Sequence, residues 1–218
     1  MIEFLDVKKE YSGGVIALQN INLKLLEGEV IILKGVSGSG KSSILSLIAG
    51  LSKPTSGEVI VDEKHISKLA DHFACTYRRK NIGFVFQKYN LIASLSVKDN
   101  ILLPLVPENL EKDELESRLQ KQFQQFNIED KRDTIVKNLS GGEQQRVAIA
   151  RANINNPKII LADEPTANLD EKLSLEFIEM IKEMKSQKKT IVIATHDPLF
   201  FNLDFVDRVI EIHNGTTV

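Results

Sequence analysis

The 218-residue chain contains no tryptophan and a single cysteine, Cys75. One thiol cannot form an intrachain disulfide, and neither a four-cysteine zinc site nor one of two cysteines and two histidines can be assembled; such sparing use fits a reducing compartment. A dominant charge of one sign is missing too. Against 28 Lys and Arg stand 30 Asp and Glu, a net of −2, so nothing favours wrapping nucleic acid by bulk electrostatics and no nucleic-acid partner is expected. Long apolar runs are also absent. The longest span residues 30–33, 101–106 (with Pro104 inside) and 159–162, far short of the ~20 residues that a membrane-crossing helix needs. The opening MIEFLDVKKE is interrupted by charge too early to resemble a secretory signal. The expectation is a chain soluble by itself that can still dock onto a membrane partner. No internal repeat or low-complexity segment is visible. The remaining composition, 42% apolar and 27% charged, is that of a globular protein. A chain this long buries roughly 70% of its unfolded surface without a covalent or metal staple.

Short runs rich in β-branched residues at 30–33, 59–61, 82–86, 159–162 and 190–194 read as buried strands. Runs of this kind separated by helical patterns predict a parallel sheet covered on both faces, hence an α/β fold. Ile44, Leu45, Ile48 and Leu51 mark the apolar face of one helix, and Leu173, Phe177, Ile181 and Met184 that of another. Between the strands at 82 and 159 lies a charged stretch, about 97–137, in which Leu115, Leu119, Phe123 and Phe126 recur at helical spacing. So long a connection exceeds one crossover and predicts an inserted helical subdomain, approximately residues 88–155, within a single domain covering 1–218.

Three segments carry chemistry. Gly35-Val36-Ser37-Gly38-Ser39-Gly40-Lys41-Ser42 matches G-x-x-x-x-G-K-[ST] in full, after a predicted strand and opening a predicted helix. Glycines let backbone N–H groups close on phosphate oxygens, and the helix start adds a positive dipole end. Lys41 is then placed to reach β- and γ-phosphates, and Ser42 to ligate Mg2+. The second segment is the strand at 159–162, which runs into Asp163 and Glu164. Ligands of parallel α/β sheets sit at the carboxyl ends of the strands, which suits Asp163 to holding Mg2+ and Glu164 to activating a water. Without the phosphate loop, a solvated acidic turn before Pro165 would be the simpler reading. The third segment is Leu139-Ser140-Gly141-Gly142-Glu143-Gln144-Gln145-Arg146, which opens a helix with Ser140 as N-cap. From the residues alone, a second anion-binding helix start and a plain loop-to-helix junction are equally good readings.

Taken together, the phosphate loop, Leu-Ser-Gly-Gly-Glu-Gln-Gln-Arg and Leu-Ala-Asp-Glu-Pro-Thr resemble the ATP-binding cassette (ABC) ATPases over essentially the whole chain. The resemblance implies a P-loop NTPase core of ABC type, with a mainly parallel sheet and a helical subdomain. It implies ATP and Mg2+ as ligands, with phosphate contacts from Gly35, Ser37, Gly38, Ser39, Gly40, Lys41, Ser42 and Ser43. Lys41, Gln87, Glu164 and His196 become the implied catalytic set, and Ser42, Gln87 and Asp163 the implied metal contacts. Tyr11 matches the aromatic that stacks on adenine, although a lone tyrosine more often serves packing. Gln87 matches the Q-loop glutamine and means nothing by itself. His196 matches the switch histidine, and a capped turn histidine is as good a reading of it without the family. Asn168-Leu169-Asp170 matches the D-loop, with Asp170 crossing a dimer interface, while Ser140, Gly141, Gly142 and Glu143 match the signature that acts in trans.

The implied assembly is a homodimer formed on ATP binding. It would act on an integral membrane permease subunit, peripherally, at the cytoplasmic face of the cell membrane. Tyr-Ser-Gly-Gly-Val-Ile-Ala-Leu, Gly-Phe-Val-Phe-Gln-Lys-Tyr-Asn-Leu-Ile and Leu-Ala-Asp-Glu-Pro-Thr-Ala-Asn-Leu-Asp are similar to the branch of lipoprotein-releasing and macrolide-exporting ATPases. That favours export or lipoprotein release, with a mechanical role of the cell-division type as the alternative. A soluble ABC-type ATPase acting on DNA or ribosomes fits less well, because the chain has neither long coiled coils nor a second cassette. Two departures stand out: Ser43 where Thr is usual, and Asn153 where the helix after the signature usually carries Leu.

Overall fold

The computed structural model describes residues 1–167 and 169–218. The first half comprises β1 (Ile2–Tyr11), β2 (Val15–Leu25), β3 (Val30–Lys34), α1 (Lys41–Ile48), β4 (Ser56–Val61), β5 (Lys64–His65), α2 (Asp71–Asn81) and β6 (Ile82–Val85). The second half comprises α3 (Val97–Leu102), α4 (Lys112–Phe126), α5 (Gly141–Asn153), β7 (Ile159–Asp163), α6 (Glu171–Ser186), β8 (Thr190–Thr195), β9 (Arg208–His213) and β10 (Thr216–Thr217). None of the described helices is long and apolar enough to cross a membrane.

The central sheet has the order β10-β9-β3-β8-β7-β6, parallel throughout except for the short β10. Its inner strands are apolar on both sides because both sides are covered. On β3, Val30 and Ile32 face one core while Ile31 and Leu33 face the other, as period-2 alternation requires. The first core holds α3, α4, α5 and α6, with Phe123, Phe126 and Phe177 fully enclosed. Burying one such ring contributes about 1.5–3 kcal/mol, and truncating Phe123 to Ala should cost about 3–5 kcal/mol. The second core encloses α1 between the central sheet and a four-stranded antiparallel sheet ordered β2-β1-β4-β5.

Two sequence expectations are corrected. The run at 59–61 is a strand, but it lies in β4 of the antiparallel sheet. A short apolar run does not say which sheet it joins, and only its pairing with β1 decides. Leu51 does not continue the face of α1. That helix ends at Ile48, and Leu51 is 48% exposed beyond it. The strands β1, β2 and β9 carried no continuous apolar run, because each buries only part of its length.

Between β6 and β7 the chain leaves the sheet and returns through α3, α4 and α5. Leu119, Phe123 and Phe126 of α4 are buried as the spacing predicts, and Leu115 is partly buried. Helix α5 packs against α3 and α4 and also against β6, so this helical segment shares its core with the sheet.

Candidate functional site

β3 delivers the chain to residues 35–40, and α1 begins at Lys41. The sharp turn into the helix needs Gly40, whose φ is 112° and whose added Cβ would lie 2.6 Å from the carbonyl oxygen of Ala17. A side chain fits neither that conformation nor that space. Lys41 is 4% exposed. Its Nζ donates to the carbonyls of Gly35 (2.7 Å) and Val36 (3.0 Å) and lies 3.3 Å from Glu164 Oε1. Ser37 and Gly38 face solvent, whereas Ser39 is buried and its hydroxyl has no hydrogen-bond partner among the described residues. An unpaired buried hydroxyl inside a loop of this type suits an incoming phosphate oxygen.

β7 ends at Asp163, where the sheet presents its carboxyl edge. Ser42 Oγ donates to Asp163 Oδ1 at 2.9 Å. Burial pushes the Asp163 carboxyl up from its ordinary range, opposed by the Ser42 hydrogen bond. A hydroxyl beside a carboxylate is a hard oxygen pair of the kind Mg2+ accepts when phosphates supply the other ligands. No group of three or more His, Cys, Asp or Glu suited to a metal occurs among the described residues, which such sharing does not require. Glu164 follows with φ 44°, a left-handed conformation for a non-glycine residue, held by its N–H donating to Ala194 O at 2.8 Å. Backbone strain of this kind concentrates at functional sites. The turn brings Glu164 Oε2 to 3.0 Å from His196 Nδ1. His196 follows β8, the strand beside β7, and is 65% exposed at its side chain.

Lys41, Ser42, Asp163, Glu164 and His196 therefore meet at one edge of the sheet, from three separate stretches of chain. The other candidates lie around them. Tyr11 ends β1, 42% exposed, with its hydroxyl 3.2 Å from Ser43 Oγ at the start of α1. Lys9 Nζ lies over the Tyr11 ring at 4.8 Å from its centroid. Gln87 sits in the exposed turn after β6. Asp170 N-caps α6 by accepting from the Leu173 N–H at 2.9 Å; Asn168 lies outside the described residues.

Ser140 N-caps α5 within a reciprocal box. Its hydroxyl accepts from Glu143 N–H, and Glu143 Oε2 accepts from Ser140 N–H at 2.8 Å. The Ser140 N–H holds the Glu143 carboxyl below its usual range. Ser140 and Gly141 are exposed. Gly142 is buried, and a Cβ there would meet Leu173 Cδ2 at 2.7 Å. Among the described residues no hydrogen bond or ion pair joins 140–143 to the phosphate loop of the same chain.

Known proteins resemble this chain in sequence and in fold. The family described as ABC transporter matches residues 18–167. An ABC transporter ATP-binding protein of Methanocaldococcus jannaschii is 39% identical over 221 residues, covering 100% of this chain and 98% of that protein. The ATP-binding cassette MJ0796, solved as a dimer in a post-hydrolysis state bound to ADP and Pi, superimposes with a TM-score of 0.92 at 39% identity, covering 100% of this chain and 96% of that one. The chain belongs to the ABC transporter ATP-binding family. It is an ATP-binding, ATP-hydrolysing subunit of transporter type. The macrolide export ATP-binding/permease protein MacB of Campylobacter jejuni is 41% identical over 215 residues, but this ABC ATPase spans only 33% of its length.

Several supports of the site in this ABC ATPase carry no motif of their own. Gly215, in the turn between β9 and β10, donates to Ser39 O at 2.9 Å and accepts from Gln19 N–H at 2.8 Å, tying the phosphate loop to the C-terminal hairpin and to β2. Gln145 Nε2 donates to Pro165 O at 2.8 Å from a buried position. Arg151 donates to Tyr89 O and Asn90 O, both at 2.6 Å, and so fastens the loop after Gln87 to α5. Thr166 Oγ1 donates to Asp197 Oδ2 at 2.9 Å. The capping box does have a readable signal, the S-x-x-E spacing from Ser140 to Glu143.

Proposed function

We propose that two copies of this chain close head to tail around two ATP molecules, and that this closure and hydrolysis drive an integral membrane permease subunit in export or lipoprotein release. The observation that carries the reading is the convergence of Lys41, Asp163, Glu164 and His196 at the carboxyl edge of the sheet, beside a helix start able to hold phosphate. Lys41 turns from the Gly35 and Val36 carbonyls to the β- and γ-phosphates. Backbone N–H groups of residues 35–43 and the Ser39 hydroxyl complete the cradle. Ser42, Asp163 and Gln87 would hold Mg2+, whose contribution there would be charge neutralisation at the transferring phosphoryl group. Glu164 accepts the proton of the attacking water, while His196 orients that carboxylate and reaches the γ-phosphate. Tyr11 stacks on adenine with the face that Lys9 leaves open.

The second phosphate-facing helix start, at Ser140 and Gly142, serves the partner's site. It makes no polar contact with its own phosphate loop among the described residues, and the similar cassette MJ0796 was solved as a dimer. Asp170 faces the same interface. For the permease, the support is a groove of about 310 Å3 between the helical segment and the core, lined in part by Leu51, Arg78, Phe86, Pro104 and Arg151. The MacB relative is named an ATP-binding/permease protein. The chain then works peripherally, at the cytoplasmic face of the cell membrane.

Lys41→Ala and Ser140→Arg should each be inactive alone. Mixed after dissociation and reassembly, they should regain activity. Random exchange makes about half the dimers mixed, each with one whole site, so roughly a quarter of all sites are whole. Verified subunit exchange with no recovery overturns independent composite sites.

A further inference from the structure

His196 has to keep a fixed place against Glu164, yet its side chain is largely exposed, so packing does little to hold the ring. Its polar contacts among the described residues are both with that carboxylate. Nδ1 lies 3.0 Å from Glu164 Oε2, and the backbone N–H donates to the same oxygen at 3.4 Å. What is held firmly is the main chain on either side. Thr195, fully buried at the end of β8, accepts through its hydroxyl from the Asp197 N–H at 3.0 Å. Asp197 then uses both carboxylate oxygens. Oδ1 accepts from the Leu199 N–H at 3.0 Å and caps the short turn Pro198–Phe200, whose Phe200 is buried in the core. Oδ2 accepts from Thr166 Oγ1 at 2.9 Å.

Thr166 is 6% exposed and follows Glu164 by two residues. The turn that contains both is tight: the Ala167 N–H donates to Glu164 O at 3.2 Å, and the Leu169 N–H to Thr166 O at 3.0 Å. Because β7 and β8 are parallel neighbours, with Asp163 beside Ala194, the turns that leave them run side by side. Glu164 to His196 and Thr166 to Asp197 are therefore two cross-ties between the same two turns. The first joins the groups placed at the reaction. The second is remote from them: neither Thr166 nor Asp197 makes a described hydrogen bond to Lys41, Ser42 or Asp163.

We propose that Thr166 and Asp197 are positioning residues for hydrolysis, their hydrogen bond carrying the His196 turn along with Glu164 when Lys41 leaves that carboxylate for phosphate. This rests on the reading of Glu164 as base and His196 as its orienter, and adds what keeps the two in register. A neutral imidazole that donates to a carboxylate through Nδ1 must carry its proton there, so the cross-tie also holds His196 in one tautomer. A misplacement of about 1 Å between such groups costs up to about 100-fold in rate, and one hydroxyl far from the phosphates is enough to set it.

Thr166→Val removes the hydroxyl and keeps the volume. On the full chain it should lower kcat about 10- to 100-fold while KM for ATP and affinity for Mg-ADP stay unchanged, and Thr166→Ser should restore most of the loss. Combined with Asp197→Ala, Thr166→Val should cost nothing beyond Asp197→Ala alone, because both cut the same bond. The second readout needs no turnover. Long-range 1H–15N spectra of the nucleotide-free chain at alkaline pH, with the His196 signals assigned from their loss in His196→Ala, should show the proton on Nδ1 in wild type and in Thr166→Ser. In Thr166→Val it should shift toward Nε2. Wild-type turnover in Thr166→Val, a fall in kcat matched by an equal fall in ADP affinity, full additivity with Asp197→Ala, or an unchanged tautomer each overturns the proposal. Glu164→Gln is assayed alongside. Normal turnover in that variant defeats the reading of the hydrolytic pair, whereas the tautomer comparison still decides whether Thr166 places His196.

Discussion

Glu164→Gln should do two things at once: abolish most hydrolysis and tighten ATP binding. In the free chain Lys41 and Glu164 are 3.3 Å apart, with side chains 5% and 14% exposed. At an effective dielectric of about 20, that separation corresponds to roughly 5 kcal/mol of attraction. Lys41 recovers much of this from nucleotide phosphates, and the Glu164 carboxylate recovers part from water and His196. The net value of one charge-assisted hydrogen bond, about 1.5–3 kcal/mol, sets the scale of what remains. Because the Gln amide keeps a neutral contact, the lower part of that range applies, and the Kd for ATP should fall about tenfold. Turnover should fall by about two to four orders of magnitude, since an amide cannot take the proton. Equilibrium titration with a fluorescent ATP analogue, at protein concentrations that keep the chain monomeric, reads the first effect; steady-state phosphate release reads the second. Removing the Glu164 charge also relieves its repulsion of phosphate, so the same substitution is repeated on Lys41→Ala. If the gain is equally large without Lys41, the ion pair is not what ATP displaces. Near-normal turnover in Glu164→Gln removes Glu164 as the base.

Three further outcomes follow from the geometry. Tyr11→Ala should weaken ATP binding by roughly 1–3 kcal/mol through lost stacking and leave tripolyphosphate affinity unchanged; equal losses for both ligands refute stacking. Glu143→Ala should destabilise the chain by about 1 kcal/mol at pH 7 through loss of the capping box. Since the folded-state carboxyl is held low by the Ser140 N–H, this contribution is present above the unfolded value and fades as pH falls through the folded one. Urea denaturation at pH 7 and pH 3 should therefore show the difference from wild type shrinking; a difference independent of pH counts against the box. Gly40→Ala forces a side chain to φ 112° and into the Ala17 carbonyl, at a cost of at least about 1–3 kcal/mol, so calorimetry should find Tm lower by several degrees.

The central sheet was readable because both of its faces are covered, which makes β3, β7 and β8 continuous apolar runs that few other structures explain. The antiparallel sheet was harder. β2 buries Leu18, Ile21, Leu23 and Leu25 between exposed residues, and its pairing with β1 shifts register at several points, which blurs the alternation. At the site, the glycine spacing announced the phosphate loop, and the acids after β7 announced a strand end. Spacing could not show that Lys41 and His196 take opposite oxygens of the same Glu164 carboxylate. That depends on the parallel pairing of β3, β8 and β7, a tertiary fact. Gly215 and Arg151 were invisible for a different reason. Each acts through backbone groups, Gly215 on Ser39 O and Arg151 on the Tyr89 and Asn90 carbonyls, and backbone partners leave no side-chain pattern to recognise.

The same contacts bear on how the two halves of the chain act together. Glu164 is bound on one side by Lys41 and His196 and is followed directly by Pro165, whose carbonyl accepts from the buried Gln145 of α5. Gly142, one turn earlier on α5, leaves no room for a side chain against Leu173 at the start of α6, and Arg146 on the same helix is paired with Glu176. The start of α5 is therefore fixed to Pro165, Leu173 and Glu176, on either side of Asp170. A displacement of Glu164 that moves Pro165 must either carry Gln145 with it or break a buried hydrogen bond, and an unsatisfied buried amide costs about 1–3 kcal/mol. Since Lys41 cannot serve Glu164 and a phosphate equally, filling the phosphate loop perturbs the carboxylate that borders this joint. A spatial path therefore runs within one chain from Ser140 along α5 to Gln145, through the Pro165 carbonyl to Glu164 and on to Lys41, although no polar contact joins Ser140 to its own phosphate loop among the described residues. A Gln145→Leu substitution, which cuts the joint while keeping the volume, should leave the Kd for ATP of the monomer unchanged and weaken ATP-dependent dimerisation; weakening of both equally would place Gln145 in the fold of the site and not in the joint.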